Sequence, residues 1–96
     1  MNNAFSQLPK AQQEILAAWE YYEDKQTGLG DRFKDEVAKK AKAVAQNPLH
    51  YPLKGKYREA LVDVFPFLIV FKFDKEAEMI FIVSVFHTSR HPKKKR

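Results

Sequence analysis

The first half of the chain has apolar residues at three- and four-residue spacing, which is the pattern of amphipathic helices. The spacing predicts one helix from Pro9 to about Gln26 and, after a break at 27–30, a second helix that extends to about Gln46. The first apolar stripe consists of Ile15, Leu16, Trp19 and Tyr22, and the second of Phe33, Val37, Ala41 and Val44. Because the break is short, the two helices are expected to fold back on each other as an αα-hairpin.

The second half of the chain changes to the pattern of β-strands. Residues 58–64 alternate between apolar and polar, which indicates a strand with one wet face. The segments 67–73 and 79–86 are almost continuously apolar and rich in β-branched and aromatic residues, and the polar residues 75–78 form the turn between them. Three strands joined in order by short turns are expected to form an antiparallel meander, and a weak fourth strand is predicted at 3–8.

The predicted fold is therefore α+β, with an N-terminal αα-hairpin on a small antiparallel sheet of three to four strands. Two of these strands are apolar on both faces, but one αα-hairpin covers only one face of a sheet. The second face must be covered by the chain's own loop and tail, by a second copy, or by a different protein. We interpret this as an indication of a partner.

The composition is that of a chain with a buried core, since 45% of its 96 residues are hydrophobic and 14% are aromatic. This length predicts a single domain over residues 1–92, followed by a basic tail at 93–96. Cysteine is absent, which excludes disulfides and thiolate metal sites. No apolar segment approaches the roughly 18 residues of a membrane span and no signal-peptide pattern occurs, so we expect a cytoplasmic protein with no membrane partner.

The net charge of +5 is concentrated at the C-terminal end of the chain. Basic and acidic residues cancel in 1–47, which hold seven of each, and again in 48–86, which hold five of each. The cations that remain are Arg90, Lys93, Lys94, Lys95 and Arg96. Such a tail attracts nucleic acid or an acidic partner at long range. The alternative is that it only keeps the protein soluble.

Two basic sets could carry chemistry. The first consists of His50, Lys54, Lys56 and Arg58, interleaved with Tyr51 and Tyr57, and the second of His87, Arg90 and His91. If both sets lie at the same end of the sheet, as we expect for the meander, they form one basic patch that suits RNA.

In such a patch His87 could act as a general acid or base, and Arg58 or Arg90 could hold a scissile phosphate. The 2′-OH would be the nucleophile, and no metal would be needed. The alternative is structural: Arg58 pairs with Glu59 or Asp63, and His87 only closes its strand.

Metal and cofactor sites are not expected. The sequence has no phosphate-binding loop, dinucleotide fingerprint or nucleophile elbow. Among the three histidines only His87 and His91 are close in sequence, and neither a Cys nor an adjacent carboxylate completes a set of ligands.

The order of several motifs resembles that of the RelE/ParE toxin superfamily. The front half has Tyr21-Tyr22, then Gly28-Leu29-Gly30-Asp31-Arg32-Phe33, then Asn47-Pro48. The back half has Tyr57-Arg58-Glu59, Phe65-Pro66-Phe67 and Val85-Phe86-His87-Thr88-Ser89-Arg90-His91-Pro92. The resemblance covers about residues 9–92 and rests on the order and spacing of the motifs together. It implies a small antiparallel sheet that carries an αα-hairpin, which agrees with the fold predicted from the residues.

Members of this superfamily are the toxins of type II toxin–antitoxin operons and are often described as plasmid stabilisation proteins. The resemblance therefore implies a growth-inhibiting toxin whose partner is a small acidic antitoxin. The expected assembly is either a homodimer of the toxin or a toxin–antitoxin hetero-oligomer. A chain that kept the fold as a non-toxic binding domain is the alternative from another functional class.

The resemblance implies two different targets. RelE-like members cleave mRNA in the ribosomal A site with Lys, Arg and a C-terminal Tyr or His, whereas ParE-like members inhibit DNA gyrase. The long, nearly equal helices resemble the ParE side, and no Tyr follows Tyr57, so we expect a ParE-like toxin. If the chain is instead a metal-independent, ribosome-dependent endoribonuclease, its catalytic residues would be Arg58, His87 and Arg90. The residues expected to bind a substrate or nucleic acid are His50, Lys54, Lys56, Tyr57, His91, Lys93, Lys94, Lys95 and Arg96.

Overall fold

The computed structural model describes residues 3–90 of the chain, and for Arg90 only the backbone. Two helices lie on one face of a five-stranded sheet. The helices are α1 (Pro9–Lys25) and α2 (Leu29–Gln46). The strands are β1 (Ala4–Gln7), β2 (Leu53–Lys54), β3 (Tyr57–Leu61), β4 (Phe67–Asp74) and β5 (Met79–His87). Short 3-10 turns follow α2 at Pro48–His50 and β5 at Thr88–Arg90. No helix within residues 3–90 is both long and apolar enough to cross a membrane.

The sheet has the strand order β1-β5-β4-β3-β2. Its centre is the predicted meander, in which β3 pairs antiparallel with β4, and β4 with β5. The weak N-terminal strand exists and pairs with β5 in parallel. The short strand β2, antiparallel to β3, brings the described sheet to five strands instead of three or four. Two residues are too few to show an alternating pattern, which is why the sequence did not predict β2.

The corner between the helices is held by Glu23. Its carboxylate oxygens accept hydrogen bonds from the backbone N–H groups of Gly28 at 2.8 Å and Gly30 at 2.9 Å. Gly28 has a φ of 92°, in the left-handed region that favours glycine. Because this glycine makes the turn in so few residues, α2 begins at Leu29, inside the predicted break.

The predicted stripe of α2 is buried in full, but the stripe of α1 is rotated. Leu16 is 57% exposed, whereas Ala11, Ile15 and Ala18 are buried. Successive residues of a helix are about 100° apart, so a stripe through positions 11, 15 and 18 excludes position 16. The alanines let α1 approach the sheet closely, a feature that ranking residues by hydrophobicity does not predict.

The strand β3 ends at Leu61, three residues before its predicted end at Val64. Ala60 and Val62 are buried, but Val64 is 66% exposed. Val64 has a φ of 73°, outside the extended region that a strand requires. It therefore belongs to the turn that leads into β4.

The sheet has one face against the helices and one open face, on which Leu61 is 58% exposed. The face against the helices contributes Phe67, Ile69, Phe71, Ile80, Ile82 and Val85 to the core. The open face carries the half-buried Leu68, Val70, Phe81, Val83 and Phe86. The central strands are thus apolar on both faces, as predicted. Within residues 3–90, both helices lie on the other side of the sheet.

Candidate functional site

The described members of the two basic sets lie at opposite ends of the sheet. Both β3 and β5 are antiparallel to β4, so they run in the same direction, and the start of one is far from the end of the other. Arg58 is level with Phe71 of β4, and His87 is level with Phe67. Four residues along the sheet and two strand spacings across it separate their Cα atoms by roughly 16 Å. The expectation of a single basic patch is therefore wrong.

The first basic set is also divided between the two faces of the sheet. Arg58 points to the helix side, where its Nη1 donates a hydrogen bond to the carbonyl oxygen of Tyr51 at 2.7 Å. Lys54 and Tyr57 pair on the open face, and Lys54 Nζ lies 3.9 Å from the carboxylate of Glu59. Alternation along β3 separates these side chains, because neighbouring residues of a strand point to opposite faces.

The remaining members of the two sets are exposed or lie at the chain end. His50 is exposed and its ring meets Tyr51 edge-on, with centroids 5.0 Å apart. Lys56 is exposed in the tight turn between β2 and β3. Arg90 ends the last 3-10 turn. The predicted binding residues His91, Lys93, Lys94, Lys95 and Arg96 lie outside the described residues.

A groove of about 610 Å³ opens between α1 and the end of β5. Its α1 wall includes Ala17, Ala18 and Tyr22, and its sheet wall includes Phe67 and His87. The two alanines leave open space where larger residues would fill the helix–sheet contact. The groove was not predicted from the sequence, in which the pair of small residues Ala17-Ala18 is the one feature that indicates it.

The floor of the groove contains a polar network. Glu14 Oε1 accepts hydrogen bonds from the Ser84 hydroxyl at 2.7 Å and the Val85 N–H at 2.8 Å, and its Oε2 accepts one from Lys10 Nζ at 2.9 Å. The register of β5 against β4 shifts at this point, because Val70 pairs with Ser84 but Phe71 pairs with Ile82. This bulge turns the buried Ser84 toward α1. Glu14 therefore satisfies the Val85 N–H on the side of β5 where the pairing with β1 has ended.

Tyr22 forms the aromatic wall of the groove. Its ring centroid lies 5.5 Å from that of Phe33, 4.9 Å from that of Phe65 and 6.2 Å from that of Phe67. Burial raises the pKa of Tyr22 above its usual value of 10.0, and repulsion from Tyr21 adds to the shift. Tyr22 is accordingly a neutral hydroxyl at physiological pH.

His87 is half-buried at the mouth of the groove. Its ring lies edge-on to Phe67, with centroids 5.3 Å apart, and its Nδ1 accepts a hydrogen bond from the Ser89 N–H at 3.0 Å. With Nδ1 as acceptor, a neutral His87 carries its proton on Nε2. Residues 3–90 contain no group of three or more His, Asp or Glu side chains placed to hold a metal ion.

Comparison with protein families decides the class of the molecule. The family described as the ParE toxin of the type II toxin–antitoxin system parDE matches residues 6–92, which include α1, α2 and strands β2 to β5. This chain belongs to the ParE toxin family. It is thus a type II toxin of the predicted RelE/ParE superfamily. No curated protein matches the sequence of this ParE-family toxin.

Solved structures show the same fold at low sequence identity. The chromosomal ParDE system of P. aeruginosa matches with a TM-score of 0.76 and 13% identity, over 88% of this chain and 95% of that one. The RelBE2 toxin–antitoxin complex of Mycobacterium tuberculosis matches with a TM-score of 0.67 and 15% identity, over 91% of this chain and 92% of that one. The E. coli RelBE toxin–antitoxin complex matches with a TM-score of 0.63 and 18% identity, over 88% of this chain and 95% of that one. These likenesses confirm the α+β fold of the ParE-family toxin.

Proposed function

We propose that this ParE-family toxin inhibits DNA gyrase in the cytoplasm and is neutralised by a small acidic antitoxin. The observation that carries the proposal is the match of the ParE toxin family over residues 6–92, rather than over a short motif. The match includes both helices of the αα-hairpin and the meander that supports it. Gyrase is the target that the resemblance to ParE-like members implies.

The separation of Arg58 from His87 gives the ribonuclease alternative less support. A group that holds the phosphate and a group that moves the proton must both reach the same few atoms, at hydrogen-bond distance. Arg58 and His87 are separated by roughly 16 Å of sheet, and Arg58 is already bonded to the carbonyl of Tyr51. This pair would need a large rearrangement to act on one phosphodiester.

Two features support an acidic protein partner. The open face of the sheet exposes apolar side chains of three consecutive strands, Leu61, Leu68 and Phe86 among them. The chain carries a net charge of +5, which favours an acidic partner at long range. The similar RelBE structures are complexes of a toxin with its antitoxin, and we propose the same kind of assembly here.

The proposal is tested by two assays on one preparation of the purified chain. In the first, gyrase supercoils relaxed plasmid; in the second, programmed ribosomes present mRNA for cleavage. We expect the chain to inhibit supercoiling without cutting mRNA, and the acidic protein from the neighbouring reading frame to restore supercoiling. Ribosome-dependent cleavage with normal supercoiling would contradict the gyrase target.

Expression in a bacterium tests whether the chain is toxic at all. We expect growth to stop when the chain is produced alone, and to resume when the neighbouring gene product is produced with it. Unimpaired growth at high levels of folded protein would favour the non-toxic binding domain instead.

A further inference from the structure

The segment 49–53 exposes apolar side chains at the β2 edge of the sheet. Leu49 is 61% exposed and Leu53 is 59% exposed. Leu53 pairs with Arg58, whose side chain points to the helix side of the sheet, so Leu53 lies on that side as well. Leu61, by contrast, lies on the open face. The segment is therefore a surface of its own, separate from the open face.

The backbone of this segment is fixed although its leucine side chains are exposed. Tyr51 N donates a hydrogen bond to the carbonyl oxygen of Pro48 at 3.3 Å, and Tyr51 O accepts one from Arg58 Nη1 at 2.7 Å. The ring of Tyr51 lies edge-on to that of Phe71, with centroids 6.1 Å apart. A segment that is already held in one conformation loses little conformational entropy when a partner binds. These contacts thus preorganise the segment for docking.

The charge around the segment is positive. Between Glu36 and Glu59 the sequence has no acidic residue. Lys54 and Lys56 follow the segment directly, and both are exposed. Lys54 Nζ lies 3.9 Å from the carboxylate of Glu59, but the Glu59 side chain is only 18% exposed. A partner that covers the leucines is therefore favoured if it places acidic groups beside its apolar ones.

The residue types favour a protein over a nucleic acid as this partner. A leucine side chain has no planar face on which a base could stack and no donor for a phosphate. Arg58 would be the strongest phosphate-binding side chain nearby, but its guanidinium is turned toward the Tyr51 carbonyl. Exposed apolar side chains with a polar rim are typical of surfaces that bind proteins.

The proposed function requires surfaces for two proteins, the antitoxin and gyrase. The apolar open face around Leu61 and Leu68 supports the antitoxin as a partner. The segment 49–53 leaves a second apolar surface on the other side of the sheet. A second copy of the chain is disfavoured there, because it would bring Lys54 and Lys56 of both copies toward each other.

We propose that the segment 49–53, together with Lys54 and Lys56, is the surface by which this toxin contacts gyrase. The contact takes an acidic segment of the gyrase surface that also carries apolar side chains. Leu49 and Leu53 become buried against those apolar side chains, and the two lysines face the carboxylates. The inference rests on the proposed function for the identity of the target.

The chain offers matched leucines for the test. Leu16 on α1 is 57% exposed and Leu61 on the open face is 58% exposed, almost the same as the two leucines of the segment. We expect the double variant Leu49→Ser/Leu53→Ser to need an about tenfold or higher concentration for half-inhibition of supercoiling by gyrase. Leu16→Ser and Leu61→Ser should inhibit as the unchanged chain does. Urea unfolding of each variant establishes that the compared proteins are folded.

Binding measurements on the double variant separate gyrase from the other occupants. Calorimetry should show that it binds the acidic protein from the neighbouring reading frame within a few-fold of the unchanged chain. Weakened antitoxin binding with unchanged inhibition of gyrase would assign the segment to the antitoxin and overturn the inference. Binding of the unchanged chain to plasmid DNA without gyrase, lost in the double variant, would identify a nucleic acid as the occupant and would also overturn it. A loss of inhibition by Leu61→Ser as large as that of the double variant would place gyrase on the open face instead.

Charge reversal supplies a readout that does not depend on the leucines. Lys56→Glu changes an exposed side chain in the turn between β2 and β3, and it should slow association with immobilised gyrase. The difference from the unchanged chain should shrink as salt is added. Lys34→Glu, at an exposed position in the first half of α2, changes the net charge equally and should associate normally. Equal slowing by both variants would overturn the acidic contact.

The two proposals fail in different ways. If the unchanged chain does not inhibit supercoiling, the gyrase target is wrong, and the assignment of this surface is wrong with it. If the unchanged chain inhibits supercoiling and the double variant inhibits equally well, the gyrase target stands and only the surface is wrong.

Discussion

The carboxylate of Glu14 on α1 accepts a hydrogen bond from the backbone N–H of Val85 at 2.8 Å. This contact joins the helix to β5 immediately after β1 has ended and β5 has lost its neighbour on that side. The same oxygen accepts the Ser84 hydroxyl at 2.7 Å, and Ser84 is only 6% exposed. Glu14 therefore supplies the Val85 N–H with the acceptor that a neighbouring strand would otherwise provide. It also supplies the Ser84 hydroxyl with the acceptor that water would otherwise provide.

Glu14→Ala should destabilise the fold because it leaves the Val85 N–H and the Ser84 hydroxyl without their acceptor. An unsatisfied, partly buried donor costs about 1–3 kcal/mol, and we expect a loss in that range in the free energy of unfolding from urea titrations. Glu20→Ala, at an exposed position of the same helix, should change the free energy by less than about 0.5 kcal/mol. Equal losses for the two variants would show that the Glu14 contacts add nothing to stability.

Gly30→Ala should destabilise the αα-hairpin even though alanine is the better helix former. A β-carbon at position 30 would lie 2.7 Å from the carbonyl oxygen of Trp19 and 2.9 Å from Glu23 Oε1, so the helices must separate. Helix propensity alone would favour alanine by about 1 kcal/mol, whereas overpacking costs about 1–3 kcal/mol. Urea unfolding should therefore show a net loss, and a gain in stability would contradict the close approach.

Gly55→Ala is the contrasting control for this prediction. Gly55 has open space around it, but its φ of 68° is in the left-handed region. Alanine there should cost about 1–2 kcal/mol through backbone strain alone. A double variant with both alanines should lose the sum of the two single effects, because the sites share no contacts.

The stability of the toxin should fall in alkaline solution partly through Tyr22. Burial raises the pKa of Tyr22 in the folded state above its usual value of 10.0. A group whose pKa is raised by folding contributes stability that is fully present below its unfolded pKa and is lost as the pH rises through its folded pKa. Thermal melts from pH 8 to pH 11 should show a smaller alkaline decrease for Tyr22→Phe than for the unchanged chain. Parallel curves for the two proteins would contradict the raised pKa.

The longer elements of this fold could be predicted from the sequence because each has a recognisable pattern of apolar residues. The α2 stripe of Phe33, Val37, Ala41 and Val44 repeats at helical spacing, and all four are buried as predicted. The central strands β4 and β5 were recognisable as continuous apolar segments. Short elements have too few residues for a period, so β2 was missed and the end of β3 at Leu61 was misplaced.

The separation of the two basic sets follows from the predicted meander itself, whereas the groove could not be predicted because it depends on how the elements pack. The basic patch required Arg58 and His87 at one end of the sheet, but strands that alternate in direction place them at opposite ends. The groove depends on the angle at which α1 crosses β5 and on the small size of Ala17 and Ala18. Neither quantity is encoded in a local pattern.

The four cations at 93–96 should contribute to binding at long range through their charge. Replacing Lys93, Lys94, Lys95 and Arg96 by alanine should weaken gyrase inhibition and reduce its dependence on salt, because charge-steered association is screened by ions. The matched control replaces Lys34, Lys42, Lys72 and Lys75, four exposed lysines elsewhere, and changes the net charge by the same amount. An equal effect of both quadruple variants would indicate a response to net charge alone rather than to the tail.

His87→Ala separates the two proposed targets. If the chain were a nuclease with His87 as its general acid or base, the change should lower the rate of mRNA cleavage by roughly 10²–10⁴. If it inhibits gyrase, the same change should leave inhibition within a few-fold, because no proton transfer is involved. The fold should survive, since His87 is half-buried at a strand end rather than in the core. Arg58→Ala is a useful comparison, because it removes the hydrogen bond from Arg58 to the Tyr51 carbonyl. We expect it to lower the free energy of unfolding by about 1.5–3 kcal/mol, the range for a charged donor, without abolishing the inhibition of gyrase. A His87→Ala chain that folds normally but has lost its toxicity would overturn the gyrase target.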